Sequence, residues 1–189
     1  MKNIILFTLL ISLLLSCKDK DKFNSPKSLF IDYISSHTEG IISKSSEIKL
    51  RLAKPSEIAK PGEDFNMEVF DFKPSIEGSS YWEDERTIIF TPKSHLKSGA
   101  TYEVEFDLKA LYSDISKDKE SYRFSFQTLK QDFEAEIDGL RYENPDNLKD
   151  VKLHGRLRTA DLVSIEEVKA IGQAEQNGNA LEFEWVKSS

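Results

Sequence analysis

Between Phe70 and Phe106 apolar and polar residues alternate in short runs broken by proline and glycine, a pattern that admits strands and little else. Phe70 and Phe72 flank Asp71, and Pro74 then stops the run, because proline cannot donate to a ladder. Gly78-Ser79-Ser80 reads as a loop. Tyr81 and Trp82 lead to an acidic tip, Glu83-Asp84-Glu85, and a bulky aromatic entering a strand is a natural plug for a two-sheet core. Arg86 to Thr91 is β-branched and apolar through Thr87, Ile88, Ile89 and Phe90, and Pro92 closes it. After a turn at Ser98-Gly99, Tyr102, Val104, Phe106 and Leu108 alternate with Glu103, Glu105 and Asp107. A period of two is a strand with one buried face. No segment here holds a 3.6-residue period for three turns, so an all-helical fold is excluded.

The flanking sequence extends the pattern. Leu29 to Ile34 is an apolar run suited to docking the chain onto the sandwich, and Thr38-Glu39-Gly40 reads as a turn. Ile48, Leu50 and Leu52 alternate with Lys49 and Arg51, a strand is expected from Asn66 to Phe72, and Tyr122, Phe124 and Phe126 mark a last strand ending near Thr128. The expectation is an all-β chain: an immunoglobulin-like antiparallel β-sandwich over residues 29–128, with five clear strands and one or two weaker ones. A second β unit, 129–189, follows. In it Phe133, Ala135 and Ile137 alternate with acids, Asp138-Gly139 reads as a turn, and Val151, Leu153, Gly155 and Leu157 alternate with Lys152, His154, Arg156 and Arg158. Ser164 and Glu167 have capping-box spacing. Asn177-Gly178 supplies the two positive φ angles of a type I′ turn, so a hairpin is expected from Val168–Glu175 and Ala180–Val186, with Leu181, Phe183 and Trp185 on one face. At 61 residues the second unit falls below ordinary domain size, and the expectation is a piece of a longer protein; a complete small protein with a minimal second domain is the alternative.

The N-terminus reads as a targeting segment. Met1-Lys2-Asn3 is a short positive start, Ile4 to Leu15 is mostly apolar, and Ser16-Cys17 follows. Residues 1–16 fit a signal peptide, too short for a permanent membrane span. Leu14-Leu15-Ser16-Cys17 resembles the bacterial lipobox, which implies that Cys17, the single cysteine, becomes a lipidated first residue; an ordinary signal peptide with an incidental cysteine is the alternative. Two or more acyl chains suffice for stable anchoring. Residues 17–28, with Lys18-Asp19-Lys20-Asp21-Lys22, form a charged tether. The charge pattern there resembles surface-export signals of some Bacteroidota lipoproteins, and a solvated spacer explains it equally well.

Chemistry-bearing motifs are sparse. The net charge is −7 without a basic cluster, which argues against nucleic-acid binding. His37, His95 and His154 lack metal-ligand spacing, and the P-loop, G-x-G-x-x-G, G-x-S-x-G and H-E-x-x-H patterns do not occur. Three S-x-x-K occurrences have no accompanying S-D-N or K-T-G. Glu83-Asp84-Glu85 lacks EF-hand spacing, and a solvated tip paired to Arg86 is the expectation. No catalytic residue, cofactor, metal or small-molecule substrate is expected.

Three segments taken in order carry a family resemblance: F-x-F-x-P-x-I-x-G from Phe70, W-x-D-x-R-T-I-x-F-x-P from Trp82, and L-K-S-G-x-x-Y-x-V from Leu96. With Ile41–Arg51, Phe126–Phe133, Leu157–Asp161 and Gln176–Gly178, they resemble the front of the alpha-2-macroglobulin-like lipoproteins of Bacteroidota, including their bacterial immunoglobulin-like domain. The resemblance makes Trp82, Asp84, Arg86, Phe90, Pro92, Gly99 and Tyr102 a structural signature. It implies an outer-membrane lipoprotein, facing the periplasm or the cell surface, that is held by Cys17 and whose full-length form traps target proteases. The second unit would then be the start of a macroglobulin-like domain. The chain departs from such traps in one respect: Cys17 is not followed by x-E-Q, and Ala174-Glu175-Gln176 has the E-Q pair without the cysteine. A bait region and thioester would therefore lie elsewhere. The alternative is a free-standing immunoglobulin-like envelope lipoprotein that binds a protein or glycan.

Overall fold

The computed structural model describes residues 23–65, 67–144, 146–147, 151–182 and 184–187. Leu14, Leu15, Ser16 and Cys17, the expected strand start at Asn66, and Phe183 lie outside the described residues. Strands β1 (Ile34–His37), β3 (Ile48–Leu52), β6 (Thr87–Pro92) and β5 (Gly78–Trp82) form one four-stranded antiparallel sheet in that spatial order. The facing sheet has the order β2 (Gly40–Ile42), β8 (Ser121–Thr128), β7 (Thr101–Asp107) and β4 (Phe70–Lys73). Its pairings are antiparallel except for β2 on β8, which is parallel. One chain segment supplies both β1 and β2: it leaves the first sheet at Thr38-Glu39, and Gly40, at φ 77, turns it onto the second. Thr38 fixes the crossing by exchanging bonds with Lys49, its N–H donating to the Lys49 carbonyl and its Oγ1 accepting the Lys49 N–H.

Strand period and core agree. Ile48, Leu50 and Leu52 of β3, Val104 and Phe106 of β7, and Phe124 and Phe126 of β8 are buried between the sheets. On the central strand β6 Thr87 to Phe90 are all buried, as expected of a strand covered on both faces. Phe30 belongs to the same core and meets Tyr122 edge-on at 5.1 Å, while its neighbours Leu29 and Ile31 are exposed. The docking run thus contributes Phe30 and Ile34 to the core, with Tyr33 packed beside them.

Two expectations for the sandwich are corrected. Gly78-Ser79-Ser80 is the first half of β5, paired to Pro92, Thr91 and Phe90, and not a loop. A side chain at Gly78 would place its Cβ 2.5 Å from the Phe90 ring and hard against the Thr91 carbonyl, so the glycine answers a close approach within the ladder. The strand expected from Asn66 begins only at Phe70, since residues 62–65 run along the open edge of β5 instead. Gly62 donates to the Trp82 carbonyl, Trp82 to that of Glu63 and Phe65 to that of Ser80, which shields an edge that would otherwise invite pairing.

The second unit is a long antiparallel ribbon of β9 (Phe133–Tyr142) and β10 (Val151–Thr159), followed by helix α1 (Ile165–Ile171) and a short hairpin of β11 (Glu175–Gln176) and β12 (Asn179–Ala180). Asp138-Gly139 is not a turn. It is a bulge within β9, where the pairing steps from Ile137/Gly155 to Gly139/His154 and Gly139 takes φ 127. Nor is Val168 in a strand: the Ser164–Glu167 capping box is closed in both directions, and the helix it starts runs through Ile171. Closing two orphan N–H groups favours helix at this point, and the hairpin shrinks to two residue pairs around Asn177 (φ 53) and Gly178 (φ 82).

Candidate functional site

The signature residues frame the sandwich. Trp82 is 1% exposed and meets Phe65 edge-on at 5.2 Å. Phe90 packs on Phe72 at 4.6 Å, Pro92 ends β6 opposite Gly78, and Gly99 turns at φ 67 against Lys130. Tyr102 is buried and stacked on Phe126 at 5.3 Å, with its hydroxyl accepting the Lys97 N–H at 3.0 Å. Asp84 organises the β5–β6 turn. It accepts the N–H groups of Arg86 at 2.7 Å and Thr87 at 2.8 Å, and Arg51 Nη1 reaches it at 2.9 Å from β3. The ionic partners of the tip are therefore Arg51 on Asp84 and Lys49 on Glu83, not the Arg86 side chain. The Arg86 N–H bond first, and then the Arg51 and Thr87 bonds, hold the Asp84 carboxyl down at about 2 against a smaller opposing effect of burial.

The pH consequence has a definite sign. A carboxyl whose folded pKa is depressed stabilises the fold above its unfolded pKa and loses that contribution as pH falls through the folded one. Asp84→Asn is expected to cost about 1 kcal/mol at neutral pH, allowing for a site nearly half open to solvent. Thermal melts of the two proteins should converge between pH 4 and pH 2. A gap that persists unchanged at pH 2 would show that the charge is not the cause.

Two open grooves, of about 440 and 590 Å³, meet at His37 and Glu39 beside the β1–β2 crossing. Burial lowers the His37 pKa; the ring packs on Phe124 at 4.6 Å and its Nδ1 donates to the Thr38 carbonyl at 3.0 Å. The cations lining the grooves are already paired: Lys27 with Glu39, Lys49 with Glu83, Arg51 with Asp84 and Arg123 with Glu105. Among the described residues no group of three His, Cys, Asp or Glu side chains is placed to hold a metal ion. No helix among them is long and apolar enough to cross a membrane.

A polar cluster built on Asp161 lies where the two units join. Asp161, 8% exposed, belongs to the segment after β10, yet its carboxylate accepts the Ser43 hydroxyl at 2.5 Å and the Lys44 N–H at 2.7 Å from the sandwich. It also accepts its neighbour Leu162 N–H at 2.8 Å. Gln131 clamps the Asp161 backbone with both ends of its amide, Oε1 accepting at 2.8 Å and Nε2 donating at 3.2 Å, while its own N–H donates to Ser98 Oγ at 2.6 Å. Lys44 also reaches Glu167 of α1 at 3.4 Å. Burial pushes the Asp161 carboxyl up, but the three donors outweigh it and hold the group below its ordinary value. The sequence offered no sign of this hub beyond the Leu157–Asp161 segment, since its partners stand 117 and 118 residues away.

The ribbon sorts its side chains by face. Paired residues of an antiparallel ladder share a face, so Glu134 stands by Arg158, Glu136 by Arg156 and Arg141 by Lys152. Ion pairs neutralise that side: Arg156 with Glu136 at 3.2 Å and Asp138 at 2.9 Å, and Lys152 with Glu143 at 3.1 Å. On the other face stand Phe133, Ile137, Leu140 and Tyr142 with Val151, Leu153 and Leu157. The bulge is what keeps them together: without its extra residue Leu140 and Tyr142 would point to the charged side.

A comparison with curated proteins gives no match. The family model described as the bacterial Ig-like domain matches residues 34–128, from the first residue of β1 to the last of β8. Two facing four-stranded sheets bounded by those strands, together with a match over more than half of the sequence, place the chain in the bacterial Ig-like domain family.

Proposed function

We propose that the chain is the membrane-tethered N-terminal scaffold segment of an alpha-2-macroglobulin-like protease inhibitor of the Gram-negative envelope. In this reading Cys17 carries the lipid, the sandwich is a spacer, and the capturing machinery lies outside these residues. The observation that carries it is the joint. The Ig-like module ends at Thr128, and the chain enters the next β unit at Phe133 with the two fixed to each other through Gln131 and Asp161. A module meant to transmit position to its neighbour in the chain needs such a coupling. The order of the Trp82–Pro92 and Leu96–Val104 motifs supports the same assignment. The reading is non-catalytic: the chain anchors and positions.

The test is the native product. Antiserum against residues 34–128 should detect a membrane-associated band many times larger than the 21.6 kDa of this chain. Cys17→Ser should move that band into the soluble fraction. A band near 21.6 kDa would overturn the inhibitor reading. The second reading, a free-standing envelope lipoprotein that binds another protein, would then take its place, favoured by the uncovered apolar face of the ribbon. Trp82 is buried and is therefore not a platform on which a glycan would stack.

A further inference from the structure

Two dipeptides of the second unit carry the same latent chemistry, and the fold treats them in opposite ways. A glycine that follows Asn or Asp has no Cβ to shield its backbone nitrogen, which is then open to attack the preceding side-chain carbonyl carbon. The sequence holds two such pairs, Asp138-Gly139 and Asn177-Gly178, and every other asparagine precedes a residue other than glycine. Asp138 is held. It lies inside β9, where pairing continues on both sides at Ile137/Gly155 and Gly139/His154, and Arg156 Nη2 grips its carboxylate at 2.9 Å. Asn177 lies in the open. Residues 175–180 are all exposed. The hairpin around it consists of two residue pairs and one further backbone bond, from the Leu181 N–H to the Ala174 carbonyl at 2.9 Å. So short a hairpin is marginal in water. Its turn also holds Asn177 at φ 53, in a region that L residues rarely adopt. Ring closure on Gly178 requires Asn177 to swing out of the turn, so it proceeds from the opened hairpin, and this hairpin opens at little cost.

We infer that Asn177 is a site of spontaneous covalent modification, converting through a cyclic imide with Gly178 to aspartate and isoaspartate. This stands apart from the inhibitor reading and does not rest on it. The Gly178 nitrogen attacks Asn177 Cγ, and the new C–N bond closes a five-membered ring. The Cγ–Nδ2 bond breaks, and Nδ2 leaves as ammonia with the proton that Gly178 gives up. Solvent water then opens the ring at one of its two carbonyls. Opening at Cγ restores the ordinary chain, with a carboxylate in place of the amide. Opening at the backbone carbonyl routes the chain through the former side chain and gives isoaspartate, one methylene longer. No oxidant or reductant is consumed. Both products add a negative charge beside Glu175, and isoaspartate does more. The length of a two-residue turn fixes the register of its hairpin. An extra backbone atom therefore breaks the pairing of Gln176 with Asn179 and of Glu175 with Ala180. The damage stays local, since neither sheet of the sandwich includes these strands.

The experiment ages the purified full chain at neutral pH, both in buffer and in urea that unfolds it. Peptide mapping by mass spectrometry follows the amide-to-acid mass gain at each asparagine. Isoaspartyl methyltransferase with labelled S-adenosylmethionine reads isoaspartate at both dipeptides. In buffer Asn177 should convert within tenfold of its rate in urea, and at least tenfold faster than any other asparagine. Asp138, held in its ladder, should isomerise at least tenfold more slowly in buffer than in urea. Asn177→Gln, whose longer side chain closes only a six-membered ring, should abolish conversion at this position. Hydrogen exchange at the Leu181 amide should quicken as isoaspartate accumulates, because that amide bonds across the hairpin. An Asn177 that stays intact in buffer while it converts in urea, an Asp138 that isomerises in buffer as fast as Asn177 converts, or a Leu181 amide indifferent to isoaspartate would each overturn the proposal.

Discussion

Trp82→Ala should remove about 3–5 kcal/mol from the stability of the sandwich, the largest single-residue effect expected in this chain. Trp82 is 1% exposed on β5, paired to Ile88 and edge-on to Phe65. Its removal leaves a void walled by two strands and by the 62–65 segment, whose hydrogen bonds to β5 keep the wall from collapsing inward. A domain of this size has a total stability of about 5–15 kcal/mol, so the variant approaches the edge of folding. Trp82→Phe fills part of the void and should cost about half as much. Urea unfolding followed by far-ultraviolet circular dichroism reads both. A loss below about 1 kcal/mol for the alanine variant would mean that the indole is not packed as described.

Asp161→Ala should act elsewhere. It removes the acceptor shared by the Lys44 and Leu162 N–H groups and the Ser43 hydroxyl, the last of which keeps Ser45 Oγ within reach, at a half-buried site. Each stranded buried group costs about 1–3 kcal/mol, reduced wherever water can enter, so about 3 kcal/mol of coupling between sandwich and ribbon is expected to vanish. The sandwich midpoint should barely move. The signature is local: faster hydrogen exchange at the Lys44 and Leu162 amides, and protease cleavage between residues 129 and 132. Asp161→Asn should be intermediate, because the amide keeps one acceptor and turns a donor toward Ser43 or Lys44. Acid should mimic the change. The folded carboxyl lies below its ordinary value, so the coupling is intact above about pH 4 and lost as pH falls through the folded pKa. Exchange rates at Lys44 that do not respond to the substitution would remove Asp161 from the joint.

What was legible in the sequence was whatever has a local cause. Tyr102 to Leu108 and Tyr122 to Phe126 bury every second residue, as their alternation requires. Gly99, Asn177 and Gly178 stand at positive φ in turns. Glycine in a strand and glycine in a loop look alike in sequence, and only the Phe90 ring crossing above Gly78 separates them. The β9 bulge is hidden for a related reason: Asp-Gly breaks the alternation both in a hairpin turn and in a bulge, and only resumption of pairing at Leu140/Leu153 separates the two. Val168 to Ile171 went to helix because Ser164 and Glu167 close a capping box, a local contest that strand propensity lost. Long-range polar pairs were invisible: Arg51 meets Asp84 across 33 residues, and no spacing rule foretells that partner.

The β1–β2 crossing has a mechanical meaning. β2 lies parallel to β8, so its N-terminal end and the C-terminal end of β8 sit at opposite ends of the pair. A pull between the two chain ends, once β1 has given way, drags these strands past each other lengthwise. Their rungs at Gly40, Ile41 and Ile42 are then loaded together, where a hairpin pulled open from one end would lose its rungs singly. The shortest strand of the sandwich is thus the one that sets its resistance to force.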